Sequence, residues 1–342
     1  MNDSPRMGEA MTSCERVVRA LEFRCPDRIP VRFGRLGCDD TAESGYKFIV
    51  AVDNAEARRS GAKEWVDEWE CAWVLNEEGS SVDNMGYVRE HPITDYALLR
   101  DHPVPDPDDP RRYEDIPAAL EKAGDKYVIA AWFTLFERAW QLRGMTELFT
   151  DMFEAPEDVD GLLEIISGFT VRIIENLSRF KGRIHGFEMG DDWGTQAGLM
   201  MSLGQFRRFF KPHYKKIIDA AHSCGMHVWM HSDGKINELI EEFIELGLDA
   251  INLEQPLMLG IDDISRRYQG RIAFYPTLDL QRTLPSGSRE EMGAQARELI
   301  EKWGTPQGGI IALDYWDYES IGIDENRARM ALEAFQEHGR YT

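Results

Sequence analysis

"HVWMHSDGKINELIEEFIELGLDAINLEQP", residues 227–256, sets a helical stripe between two apolar runs, and that order decides the architecture. "HVWMH" (227–231) is short, lacks strict alternation and stops at the polar turn "SDG", as a strand buried on both faces does. In "KINELIEEFIELG", Ile236, Leu239, Ile240, Phe243 and Ile244 fall at i, i+3, i+4, i+7 and i+8, one continuous apolar face. Gly247 marks the end of that helix. "AINLEQ" (250–255) then reads as the next buried strand, which makes the segment a strand–helix–strand unit of a parallel sheet.

The pattern continues in both directions. "YVIAAWF" (127–133), "IHGFEMGDD" (184–192), "RIAFYP" (271–276) and "GGIIALD" (308–314) read as strands. Helical periods occupy 135–155, 155–180, 202–225, 260–269, 288–304 and 324–339. Units of roughly 30 to 40 residues without a Gly-rich dinucleotide fingerprint favour a closed (β/α)8 TIM barrel over a doubly wound sheet. "RIPVRF" (28–33) is then the first strand. Residues 34–125 are less regular: "EWVDEWECAWVLNEEGSSVDNMGYVRE" (64–90) suggests a small inserted hairpin, and "HPVPDPDDPRRY" (102–113) a surface connector. The expectation is one α/β domain over 1–342 with an elaborated front end.

The 342 residues are 43% apolar and 29% charged, the balance of a globular chain. No apolar run approaches the ~18 residues needed to cross a bilayer, and the polar start carries no signal-peptide pattern. A formal charge of −22 repels nucleic acid and anionic membranes. The basic stretches "RRYQGR" and "FRRFFKPHYKK" read better as polar helix faces. Cys14, Cys25, Cys38, Cys71 and Cys224 are scattered, with no CxxC pair, which suits free thiols in a reducing cytoplasm.

Barrel chemistry belongs at the carboxyl ends of the strands. Those ends carry Asp191, Asp192 and Trp193; His231 and Asp233; Glu254 and Gln255; Asp279 with Gln281 beyond it; and Asp314, Tyr315 and Asp317. Five consecutive strands thus bring a carboxylate to one rim. In extended chain, residues i and i+2 share a face, so His231 and Asp233 can meet one ion through nitrogen and oxygen donors that zinc accepts. Two other readings stay open: Asp233 as an N-cap beside a buried imidazole, or a metal-free catalytic His–Asp pair. Asp192 is expected to line the pocket. Asp67 and Glu70 lie among Trp65, Trp69 and Trp73, either a substrate wall or the core of the hairpin. Arg138, just past a strand, pairs with a carboxylate of the chain or anchors one of a substrate, and Arg32 and Arg35 share that ambiguity.

"ERVVRALEFRCPDRIPV" (15–31), "FERAWQLRGMTELFTDMFEAPEDV" (136–159), the long block 190–256 and "GIDENRARMALEAF" (322–335) resemble the uroporphyrinogen decarboxylase superfamily. That group of barrel enzymes also contains zinc-dependent, corrinoid-linked methyltransferases. True decarboxylases open with an Arg-rich "RQAGR"-like loop, whereas "VRFGRLG" (31–37) keeps only Arg32 and Arg35. Their pyrrole-facing Asp matches Asp67, their Tyr falls near Arg138, and their late His falls near Tyr315. The methyltransferase branch carries a His-x-Cys pair and a late Cys. Here His231 is kept, Asp233 replaces the first Cys, and the late Cys falls near Asp314 or Tyr315.

The resemblance therefore implies an oxygen-rich ligand set of His231, Asp233 and Asp314 or Tyr315, to which the rim position adds Glu254. Such a set is harder than one with two thiolates and suits polarisation of an ether or alkoxide oxygen. The expected activity is that of a metal-dependent methyltransferase or O-demethylase, with zinc or another divalent cation, passing a methyl group from a small molecule to a corrinoid on a partner protein. Asp192, Asp67 and Tyr315 would be catalytic. Trp193, Trp69, Arg138, Arg35 and Gln281 would shape the substrate site. A uroporphyrinogen-type lyase using Asp67 and a non-catalytic small-molecule-binding barrel are the alternatives. The resemblance also implies a homodimer.

Overall fold

The computed structural model describes residues 11–48, 64–74 and 86–341. The polar start at 1–10 and the middle of the expected hairpin, 75–85, lie outside the described residues. Strands β1 (Val31–Phe33), β2 (Cys38–Asp39) and β3 (Thr41–Glu43) come first. They are followed by β4 (Glu64–Val66), β5 (Ala72–Val74) and β6 (Tyr87–Glu90), then β7 (Tyr127–Phe133), β8 (Gly186–Gly190) and β9 (His227–His231). The last three are β10 (Ala250–Asn252), β11 (Ala273–Phe274) and β12 (Ala312–Leu313).

A parallel sheet runs β11-β10-β9-β8-β7-β3, and a second sheet runs β12-β1-β2. A parallel bridge between Phe274 and Ile310 carries the pairing from β11 to the stretch entering β12. β12 pairs parallel with β1, β2 returns antiparallel to β1, and the chain reverses at Asp40 to climb as β3 beside β7. β1, β3 and β7 to β12 are thus eight strands pointing one way around a TIM-type barrel. The ladders leave a seam at the reversal. Several strands are shorter than their apolar runs, because at the rim the chain leaves the ladder to form the loops of the site.

The apolar stripe that defined the central helix is buried, with Ile236, Leu239, Ile240 and Phe243 all at 1% exposure or less. Each such side chain contributes about 1.5–3 kcal/mol by leaving water. The helix itself spans Ile240–Leu246 and not 235–247. Its expected first turn is drawn into the site loop, where Lys235 N–H donates to Thr195 O at 2.8 Å. The helix expected over 202–225 is interrupted by a widened turn at Phe206–Phe210 and resumes over Lys211–Ser223. Pro212 has no N–H to continue the regular ladder, which accounts for the widening.

The front end holds a three-stranded antiparallel sheet, β4-β5-β6, in place of a simple hairpin. Its turn is organised by Asp67, whose carboxylate accepts from Trp69 N (2.9 Å), Cys71 N (3.0 Å) and Trp73 Nε1 (3.0 Å).

At the reversal, Asp40 accepts from Arg16 Nη1 at 2.7 Å, Arg28 Nη1 at 2.7 Å and Val31 N at 2.9 Å. Burial opposes its charge, but the two guanidiniums and the amide outweigh it and hold the carboxyl below the usual carboxylate range. A depressed native value adds stability above the unfolded value, about pH 4, and loses it as pH falls through the native one. Asp40→Ala is expected to lower the unfolding free energy at pH 7 by about 2 kcal/mol, since it removes charge-assisted bonds from two guanidiniums and the acceptor of Val31 N–H, while Arg16 keeps its pair with Asp27. In urea melts the gap between variant and parent should narrow below pH 4.

Candidate metal centre

Two rim loops meet backbone to backbone. Gly194, after β8, and Gly234, after β9, touch so closely that a Cβ on Gly234 would lie 2.3 Å from Gly194 O. Gly234 also has φ +82°, a left-handed conformation that favours glycine. Gly194 N–H donates to Asp233 O at 3.2 Å. The crossing brings Asp192 onto the loop of Asp233, whose N–H donates to Asp192 Oδ1 at 2.8 Å.

Ligand atoms of Asp192, His231 and Asp233 lie within 4.8 Å of one another. His231 Nε2 is 3.4 Å from Asp192 Oδ1. On the other edge of the ring, Nδ1 is 2.5 Å from Asn252 Oδ1. The orientation of that amide follows from its Nδ2, which donates to Tyr275 O at 2.6 Å. Asn252 therefore offers His231 an acceptor, Nδ1 carries the proton, and Nε2 is the nitrogen presented to the two carboxylates. Asp233 does not cap a helix: its Oδ1 is buried with no hydrogen-bond partner among the described residues. A buried carboxylate oxygen without a donor, beside an imidazole of settled tautomer and a second carboxylate, is a donor set that fits a divalent cation.

The charge balance agrees. Burial pushes the Asp233 carboxyl up to about 6, against the field of His231. Burial also drives Glu254 up to about 8, with the neighbouring carboxylates adding to it and His231 opposing. Burial disfavours the His231 imidazolium, yet the hydrogen bond to Asp192 and the fields of Glu254 and Asp233 prevail and hold its pKa well above the usual histidine value. Each shift reports a shortage of positive charge in a dry place.

The centre opens into a cavity of about 670 Å³, within the range of small-molecule sites. Seven carboxylates line it (Asp39, Glu43, Glu137, Glu188, Asp192, Glu254 and Asp314), against Arg32, Arg35 and His231. Arg32 is already committed, gripping the fully buried Glu188 through two bonds of 2.8 and 2.9 Å. Arg35 lies 4.7 Å over the Tyr318 ring. Trp132 forms a wall, set against Gly190, where a Cβ would come 2.6 Å from the ring, and edge-on to His231.

The expected residues fall into three groups. His231 and Asp233 meet, joined by Asp192. Glu254 lines the same cavity but faces the imidazole from 4.0 Å at Nδ1, and Asp314 lines it with its Oδ2 taken by Tyr318 Oη at 2.5 Å. The remainder are corrections. Asp67 is occupied by its own turn and by Arg138 Nη1 at 2.6 Å, so Arg138 anchors the front-end sheet and no substrate carboxylate. Trp69 and Trp193 are core residues at 3% and 1% exposure, Trp193 being stacked 4.3 Å from Phe136. Gln281 donates to Gln196 on the surface, and the Tyr315 hydroxyl is turned to Ser320. Asp191 is structural, accepting from Leu135 N, Glu137 N and Tyr214 Oη. Sequence reasoning missed Asn252, Trp132 and Trp316. A polar residue inside the apolar run "AINL" was the one available signal for Asn252.

A TIM-type barrel with acidic donors at the carboxyl ends of its strands is built like an enzyme. A family model described as uroporphyrinogen decarboxylase (URO-D) matches residues 84–314, more than half of the chain, and the chain belongs to that family. No curated protein sequence matched. Among solved structures, a methyltransferase from Methanosarcina mazei is similar at a TM-score of 0.68 and 15% identity, over 96% of this chain and 99% of that one. Native xylanase 10B from Thermotoga maritima is similar at a TM-score of 0.43 and 15% identity, over 94% and 97%. At such identities the likeness to the methyltransferase shows a shared fold alone.

Proposed function

We propose that the protein is a metal-dependent methyltransferase of the O-demethylase kind, moving a methyl group from a small donor to a corrinoid carried by a partner protein. The observation that carries this reading is the unpartnered Asp233 Oδ1 beside Asp192 and a His231 whose Nε2 is turned toward Asp192 by the bond of Nδ1 to Asn252. Zinc or another divalent cation held by these three residues would supply Lewis acidity toward a donor oxygen. The chain's own groups do the rest. Asn252 fixes the imidazole. Glu254 lines the cavity beside the imidazole, 4.0 Å from His231 Nδ1. Trp132 walls the cavity edge-on to the imidazole.

The lyase reading has less support. A polycarboxylate would enter a cavity already lined by carboxylates, with Arg32 spent on Glu188. The test is to load the full chain with one equivalent of Zn²⁺, add free cob(I)alamin, and offer methoxylated aromatics and methylated amines. Methylcobalamin formation, followed by absorbance, is expected with at least one donor. Release of CO2 from uroporphyrinogen, or a metal-loaded protein inert toward every donor, would overturn the proposal.

A further inference from the structure

The metal centre leaves two features of the cavity unexplained. Glu254 is 4% exposed and lines the space, yet among the described residues no donor reaches its carboxylate; its only ion-pair partner is His231 Nδ1, 4.0 Å away, whose proton goes to Asn252. Asp39, Glu43 and Asp314 extend the acidic lining onto β2, β3 and the end of β12, beyond the three ligands. Second, Trp132 and Trp316 line the cavity while remaining 45% and 48% exposed, so much of each indole stays uncovered. Buried aromatic anchors are common; tryptophans left open in one cavity with a buried carboxylate that lacks a donor are a different arrangement. Aromatic faces attract cations through their quadrupole, most strongly when the cation sheds its water. A neutral aryl ether would leave the carboxylates uncompensated, and an anion would add to the excess.

We infer that the donor taken by this cavity carries, besides the oxygen that bears the transferred methyl group, a methylated ammonium head group, seated against Trp132 and Trp316 with Glu254 as its counter-charge. This rests on reading the cavity as the methyl donor's site. Shape cannot supply the selectivity, because a quaternary ammonium and its carbon isostere have nearly the same size; charge can.

The experiment is titration calorimetry of the Zn²⁺-loaded full chain with choline and with its neutral isostere 3,3-dimethylbutan-1-ol. Choline is expected to bind at least tenfold tighter, and to weaken as salt rises while the alcohol does not. Trp316→Ala, at an exposed position that the fold tolerates, should cost choline roughly tenfold and the alcohol under threefold. Glu254→Gln keeps the shape and should show the same split. Equal affinities for the two probes, no detectable choline binding, or equal losses in the variants would each overturn the inference. The two proposals separate cleanly. Choline bound without any cob(I)alamin methylation sinks the methyl-transfer reading and leaves the cation site, whereas methylation from a neutral methoxyarene by protein that ignores choline sinks the cation site alone.

Discussion

His231→Ala is expected to leave the purified chain with less than about a tenth of an equivalent of divalent metal, where the parent holds about one. The imidazole is the single nitrogen donor of the site, and its Nε2 faces Asp192 across 3.4 Å. Removing it leaves two carboxylates that prefer other cations and hold zinc weakly. Methyl transfer should fall by about three orders of magnitude or more, since Lewis acidity toward the donor oxygen goes with the ion. Asn252→Ala gives the graded control. Without the Nδ1 acceptor the ring loses its preferred tautomer, and metal affinity should fall ~10- to 100-fold. Elemental analysis and competition with a chelator read both effects. Stoichiometric zinc in His231→Ala would remove the proposed centre.

Arg32→Met should produce a large loss of stability. Glu188 is fully buried, and Arg32 gives it two charge-assisted bonds of 2.8 and 2.9 Å. Taking away one partner of a buried pair strands the other charge, at about 3–5 kcal/mol. For a domain of this size that corresponds to a melting temperature lower by roughly 4–7 °C. The double variant Arg32→Met/Glu188→Leu removes both charges and is expected to recover most of the loss, because a well-packed apolar pair is often no worse than an ionic one. Equal melting of the single and double variants would mean that the cost lies in packing and not in the stranded carboxylate.

Much of the architecture was readable from local pattern. Ile236, Leu239, Ile240 and Phe243 were assigned to a core face by spacing and are buried there. The resemblance to decarboxylases and methyltransferases of one superfamily pointed to the same barrel, and the family match agrees. His231 and Asp233 were paired by the two-residue repeat of extended chain, and they do meet. The tryptophans were harder. Trp69 and Trp193 looked like pocket walls because they flank polar residues, yet both are packed inside, while Trp132, near the end of an apolar strand, faces the cavity. Alternation does not say which face of a barrel strand looks inward at the rim, because the ladder there is already breaking into loops.

Helical period, strand length and turn chemistry belong to neighbouring residues, so the barrel and the rim that bears its chemistry follow from the order of residues alone. The partner of each rim side chain is another matter. Asp192 joins His231 because β8 and β9 pair Gly190 with His231, and Asn252 reaches the imidazole because β10 pairs it with His231 in turn. The contact between Gly194 and Gly234 then closes the loops on Asp233. Register and loop crossing are set by the packing of the whole ring, and a carboxylate becomes a ligand, a cap or a structural acceptor according to which backbone that packing places against it.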